Sequence, residues 1–411
     1  MKKLIVIIIL GYLANFVDAY GWERIKYEYK GHSLHYVIDE TTKTAATRSP
    51  GTDKYGNLVS WGYKGKIEIP SKIKFANEEY TVECISSKTF YYCSDLTEII
   101  IPPTVKKIES YAFQYCYHLT SVVIPNGVSI IEEGVFLGCN QLKSVSIPPT
   151  VKKIESYAFQ NCNHLTSVAI PNGVSIIEER VFQGCNQLKS VIIPESVTKI
   201  EKLAFYCCTN LTSIHIPDAV YEIGIKAFGG CTNLRDVNFP SSLTTIAPGT
   251  FYFCSNLQNI EIPNTVISIG SNAFGECGAL TSVSIPESIS SIDKYAFERS
   301  YYIKDVYYGA WHPITCDSQI FENSVYSEAT LHIPSLAIAN YMKTEPWKNF
   351  KKFKIHYFAG MDENSVFDDP IDQKCAVFNL NGMYVSDSLE NLAPGLYIIR
   401  ENGKIQKIVV K

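Results

Sequence analysis

Methionine and arginine are scarce in this chain, with four Met and six Arg among 411 residues. Few arginines leave little of the planar, bidentate chemistry that reads phosphates and base edges. A net charge of −4 gives no long-range pull toward nucleic acid or anionic lipid. No stretch after residue 19 approaches the ~18 apolar residues of a membrane-spanning helix. The sequence also lacks G-x-S-x-G, H-E-x-x-H, the phosphate-binding P-loop and G-x-G-x-x-G. No catalytic residue, metal ligand or cofactor site is therefore expected, and the chain reads as a binding protein rather than an enzyme.

The N-terminus has the order of an export signal. Lys2 and Lys3 precede the apolar run Leu4–Leu10, and Val17-Asp18-Ala19 fits a small-residue cleavage site. Residues 1–19 are expected to be a signal peptide, which places the mature chain, from Tyr20, outside the cell or on its surface. The first cysteine is Cys84, too far along for a lipoprotein anchor.

A single period organises the middle of the chain. Phenylalanine recurs from Phe90 to Phe297, cysteine from Cys93 to Cys277 and proline from Pro102 to Pro286, every step being 23 residues. One unit reads F-x-x-C-x-x-L-x-x-[IV]-x-[IF]-P-x-x-[VIL]-x-x-I. The L-x-x-[IV]-x-[IF] portion alternates with period two, marking a short strand that the proline ends because it has no N–H to donate. No unit can bury its apolar positions alone, so successive units must stack, with strands ~4.8 Å apart. Residues 102–147 and 148–193 are near copies, identical at 40 of 46 positions. Their six differences (Tyr115/Asn161, Tyr117/Asn163, Val123/Ala169, Gly134/Arg180, Leu137/Gln183, Ser146/Ile192) all avoid the apolar skeleton.

This skeleton resembles the BspA-like class of leucine-rich repeats over about residues 85–297. The flanks Gly65-Lys66-Ile67-Glu68-Ile69-Pro70 and Ala329-Thr330-Leu331-His332-Ile333-Pro334, with Tyr341, Trp347 and Phe350, resemble that family's end units. The expected fold is a right-handed, β-rich leucine-rich-repeat solenoid of ten 23-residue coils with terminal caps and a small C-terminal β module. Expected boundaries are an N-terminal cap at 20–84, repeats at 85–300, an atypical closing unit at 301–358, an acidic linker at 359–373 and a C-terminal module at 374–411. That last segment carries Asn-Gly steps between alternating apolar residues, which signal hairpins. It resembles the C-terminal sorting domains of type IX secretion. The BspA resemblance implies a surface adhesin that binds a host-matrix or microbial glycoprotein. A glycan-binding or nutrient-capture accessory at the outer membrane is the alternative.

Thirteen cysteines in an exported chain suggest disulfides, but nine occupy one position of successive coils. Strands ~4.8 Å apart hold Cβ atoms farther apart than the ~3.5–4.5 Å of a disulfide. The nine are expected to pack as small buried thiols. Cys84, Cys207, Cys316 and Cys375 stand outside that register, and their redox state stays open. The histidines read as satisfied or exposed surface groups, and the pairs Glu132-Glu133 and Glu178-Glu179 as a solvated face. Two surfaces remain as candidates for a partner. One is the outward strand ribbon, including Ser144, Ser146, Ser167, Ser190, Ser213 and His215. The other is a tyrosine group including Tyr111, Tyr115, Tyr117 and Tyr157, a residue type with large contact area at low entropic cost. Truncating Phe159 is expected to be costly and Asn161→Ala nearly silent.

Overall fold

The computed structural model describes residues 23–51, 59–334 and 337–356, together with four strands between 375 and 410. The expected signal peptide and the linker 359–373 lie outside the described residues. The chain winds as a β-solenoid of about twelve turns with little helix. It divides after Val174 into two compact units, within the repeat array rather than at its flanks.

In the first unit each coil contributes two short strands. Ser121–Val123 pairs in parallel with Ser144–Ser146, residue 121 facing 144, and Ile130–Ile131 pairs likewise with Lys153–Ile154. A step of 23 residues thus brings each position onto its own copy. In Ser121–Val123 only the middle residue is buried, as the period-two pattern requires. Phe90, Phe113, Phe136 and Phe159 have no exposed surface, and successive rings stack at centroid distances of 5.0, 5.5 and 5.5 Å. The N-terminal cap continues both strand rows. Gly65–Glu68 runs parallel to Leu96–Ile100, and Glu78–Ile85 runs parallel to Lys107–Ile108. The rest of the cap is mainly antiparallel: Glu23–Tyr29, His32–Asp39 and Thr44–Thr47 lie side by side in that order.

The second unit repeats the coil. Its phenylalanines stack from Phe182 to Phe297 at 5.3–5.6 Å. The stack passes into the closing unit through Phe321, 4.8 Å from Phe297. Asn259–Glu261, Ser282–Ile285, Asp305–Tyr308, Thr330–Pro334 and Lys352–His356 form one parallel five-stranded sheet. Buried Trp347 centres the closing unit, its ring 4.6 Å from Tyr308 and its Nε1 donating to the Ile314 carbonyl at 2.8 Å. Farther along the chain, Cys375–Asn379, Tyr384–Ser386, Gly395–Glu401 and Lys404–Val410 form a four-stranded antiparallel sheet.

Two backbone positions per coil are left-handed. They lie two residues before and two after each repeat phenylalanine: Tyr111 and Tyr115 around Phe113 (φ +61° and +62°), Leu203 and Cys207 around Phe205 (φ +59° and +60°). Most are not glycine, although L-residues pay for this conformation. Asn161 sits at φ +57°, a conformation asparagine adopts more readily than alanine, so Asn161→Ala is now expected to carry a small cost rather than to be silent.

Candidate functional site

The cysteine row is a hydrogen-bonded row as well as a packed one. From Cys116 onward, thiols of the row donate to the carbonyl of a phenylalanine 26 residues earlier: Cys116 to Phe90 at 3.1 Å, Cys139 to Phe113 at 3.2 Å and Cys254 to Phe228 at 3.3 Å. Burial raises these thiols far above their ordinary range, and it pushes Cys277, Cys84 and Cys316 up to about 12. A protonated thiol is a poor nucleophile and a poor metal ligand. Among the described residues no cysteine is joined in a disulfide. Among the described residues no group of three or more His, Cys, Asp or Glu is placed to hold a metal ion.

The acidic pairs prove to be structural rather than merely solvated. The Glu132 carboxylate accepts from the Ser110 amide at 2.9 Å and its hydroxyl at 3.0 Å, and Glu133 accepts the hydroxyl of Tyr111. Glu179 pairs with Lys202 at 3.2 Å. These contacts tie one coil to the next.

The structure splits the tyrosine group. Tyr115 and Tyr117 meet Tyr91 and Tyr92 in a four-ring cluster in the first unit. Tyr92 lies 6.2 Å from Tyr115 and 5.6 Å from Tyr117, both edge-on, and Tyr91 lies 6.1 Å from Tyr115. Tyr92 is 49% exposed, and the other three are half-buried. Burial and the neighbouring Tyr92 push the Tyr117 hydroxyl up. The left-handed backbone at Tyr92 and Tyr115 aims these side chains along the stack. The Tyr115 ring lies over Gly138 so closely that a Cβ there would come within 2.5 Å of it. Tyr111 takes the other left-handed position and packs over Gly134, away from the cluster in the coil sequence. Tyr157 occupies the equivalent position in the near copy, half-buried.

The ribbon is exposed where the sequence places it. Ser144, Ser146 and Ser167 in the first unit, and Ser190, Ser213 and His215 in the second, are all open to solvent. Val123 and Ile192 add apolar surface at 68% and 67% exposure. Farther along, Asn238 turns back to bond both the amide and the carbonyl of Ile216, at 3.2 and 3.1 Å, so that position serves the coil.

Comparison with known proteins gives this arrangement its context. A BspA type leucine rich repeat region, in six copies, matches residues 83–211 and 198–328. The chain belongs to the BspA-type leucine-rich-repeat family. Among solved structures, this BspA-type chain is similar to a leucine rich cell surface protein from Faecalibacterium prausnitzii. The two are 24% identical with a TM-score of 0.51, over 85% of this chain and 96% of that one. A leucine-rich repeat protein from Bacteroides ovatus is 22% identical with a TM-score of 0.43, over 80% of this chain and 100% of that one. The pneumococcal vaccine antigen PcpA is 15% identical with a TM-score of 0.47, over 82% and 98%. None of the curated proteins compared matches the sequence. Among the described residues no helix is long and apolar enough to cross a membrane.

Proposed function

We propose that this BspA-type chain is an exported surface adhesin that binds a host-matrix or microbial glycoprotein through its repeat surface. The observation that carries the reading is the cluster of Tyr91, Tyr92, Tyr115 and Tyr117. The near copy 23 × 2 residues along keeps the same coil with Asn161 and Asn163 in place of Tyr115 and Tyr117. The coil therefore does not need the aromatic pair, and a contact surface is the role left for it. Tyrosine is enriched at such surfaces because a rigid ring and one hydroxyl give much contact for little lost freedom. The cell-surface description of the similar Faecalibacterium prausnitzii protein supports the location, and the C-terminal sheet is assigned the sorting role that its sequence resemblance implies. Stacked coils of this kind offer extended surfaces, which suits a large partner.

The test is binding of the purified full chain to immobilised fibronectin, fibrinogen, laminin and mucin. Saturable binding to one of them is the expected result. A folded chain that binds none, yet binds a free oligosaccharide saturably through Tyr92, would move glycan capture into its place, a reading that the half-exposed Tyr92 ring favours.

A further inference from the structure

At the end of the second unit, Asp305–Tyr308, Thr330–Pro334 and Lys352–His356 run parallel, and Lys352–His356 is the edge strand of their sheet. On one face of these strands His332 is only 4% exposed, although it belongs to a residue type that usually keeps one edge in water. Its Nε2 lies 2.8 Å from Asp305 Oδ1, and its Nδ1 lies 2.6 Å from His356 Nε2. Tyr307 stacks on the His332 ring at 4.1 Å and His356 at 4.8 Å. Two more charges share the neighbourhood. Lys354 stands directly across from His332 in the strand register, and Lys352 pairs with Glu328 at 3.3 Å.

Two imidazole nitrogens at this distance hold one proton between them. With both rings neutral, His356 Nε2–H donates to His332 Nδ1, and His332 Nε2–H donates to Asp305. With one proton added to the pair, a single N–H still lies between the facing nitrogens and the contact survives. With two added, both facing nitrogens carry N–H. The bond is then lost, and two cations meet beside Lys354.

We infer that His332 and His356 form an acid-sensitive latch that holds the edge strand Lys352–His356 on the sheet and releases it when both rings are protonated. The surroundings of His356 oppose that second proton. Burial first, then the charge of His332, then that of Lys354 hold its proton affinity below the ordinary histidine value. A released His356 returns to ~6.5 and so binds more protons than the latched one. Stability supplied by the latch is therefore complete above that value and is lost as pH falls from it through the lower latched value. Lys352–His356 is the last strand of this sheet in chain order before the C-terminal strands, so the latch acts where the solenoid hands over to them.

Amide hydrogen exchange on the full chain, corrected for intrinsic rates, tests this at about pH 7.5 and about pH 5. Protection of residues 352–356 should fall at the lower pH while that of Ser282–Ile285 holds. The fall should vanish in His356→Gln, which keeps a donor and an acceptor but does not titrate. A constant ratio between the two segments overturns the proposal, and so does an undiminished fall in the variant. Should the variant fail to fold, histidine nitrogen NMR titration of the unaltered chain decides. Two coupled steps, one below ~6.5, support the latch, and two rings titrating independently at the ordinary value overturn it.

Discussion

The thiol of Cys116 donates to the carbonyl of Phe90 at 3.1 Å, and one register position past the last repeat cysteine the hydroxyl of Ser300 does the same to Phe274 at 2.8 Å. The position thus asks for a small side chain with a proton to give. Serine itself meets that demand. Cys116→Ser should therefore stay close to the parent, while Cys116→Ala should cost about 0.5–1.5 kcal/mol by losing that bond, the Phe90 carbonyl keeping the Cys93 amide as its other donor. Urea denaturation of the two variants checks the order. Equal losses would mean that volume alone matters at this site.

The near copies supply an internal contrast at Phe159 and Asn161. Phe159 is fully buried against Phe136, so Phe159→Ala should cost about 3–5 kcal/mol. Asn161 is exposed but left-handed, so Asn161→Ala should cost about 1 kcal/mol and Asn161→Gly little or nothing. Thermal melts of the three variants test the ranking. An Asn161→Ala protein as stable as the parent would remove backbone conformation as the constraint.

His35 in the N-terminal cap lies flat on Trp61, ring centroids 3.7 Å apart. Burial, then the charges of Lys26 and Arg48, hold its proton affinity below the ordinary value. The folded cap therefore binds fewer protons than the unfolded chain. Its His35-linked stability is complete above ~6.5 and is lost as pH falls through the lower folded value. Tryptophan emission should drop over that interval, and the drop should be absent in His35→Gln. A titration centred above ~6.5 would contradict the assignment.

Much of this was visible in the sequence because the coil repeats without a gap. The Phe, Cys, Leu and Pro rows fix both the stacking and the inward face. The left-handed positions were hidden, since tyrosine holds them as often as glycine does and lysine, leucine and others hold the rest. Closure of the coil imposes that backbone against local preference, and the signal lay in Gly134, Gly138, Gly184, Gly230 and Gly249 falling on the same two register points. The donor role of cysteine could have been read from Ser300. The contact between His332 and His356 could not, because the closing unit breaks the period. Its strand partners step from Ser282 to Asp305, then to Thr330 and Lys352, by 23, 25 and 22 residues. Counting by 23 therefore loses the register where those rings meet. The tyrosine group was visible as composition, but only the fold separated Tyr111 and Tyr157 from the cluster of Tyr115 and Tyr117.

The most direct measurement compares the parent with the double variant Tyr115→Asn, Tyr117→Asn, which installs the pair already present two coils along. Both proteins should melt within about 1 kcal/mol of each other, because surface changes of this kind rarely exceed that. Affinity for the glycoprotein bound by the parent should fall roughly tenfold or more, as expected when two interface tyrosines are removed. Unchanged affinity in a folded double variant would contradict the central claim that the tyrosine cluster is the binding surface.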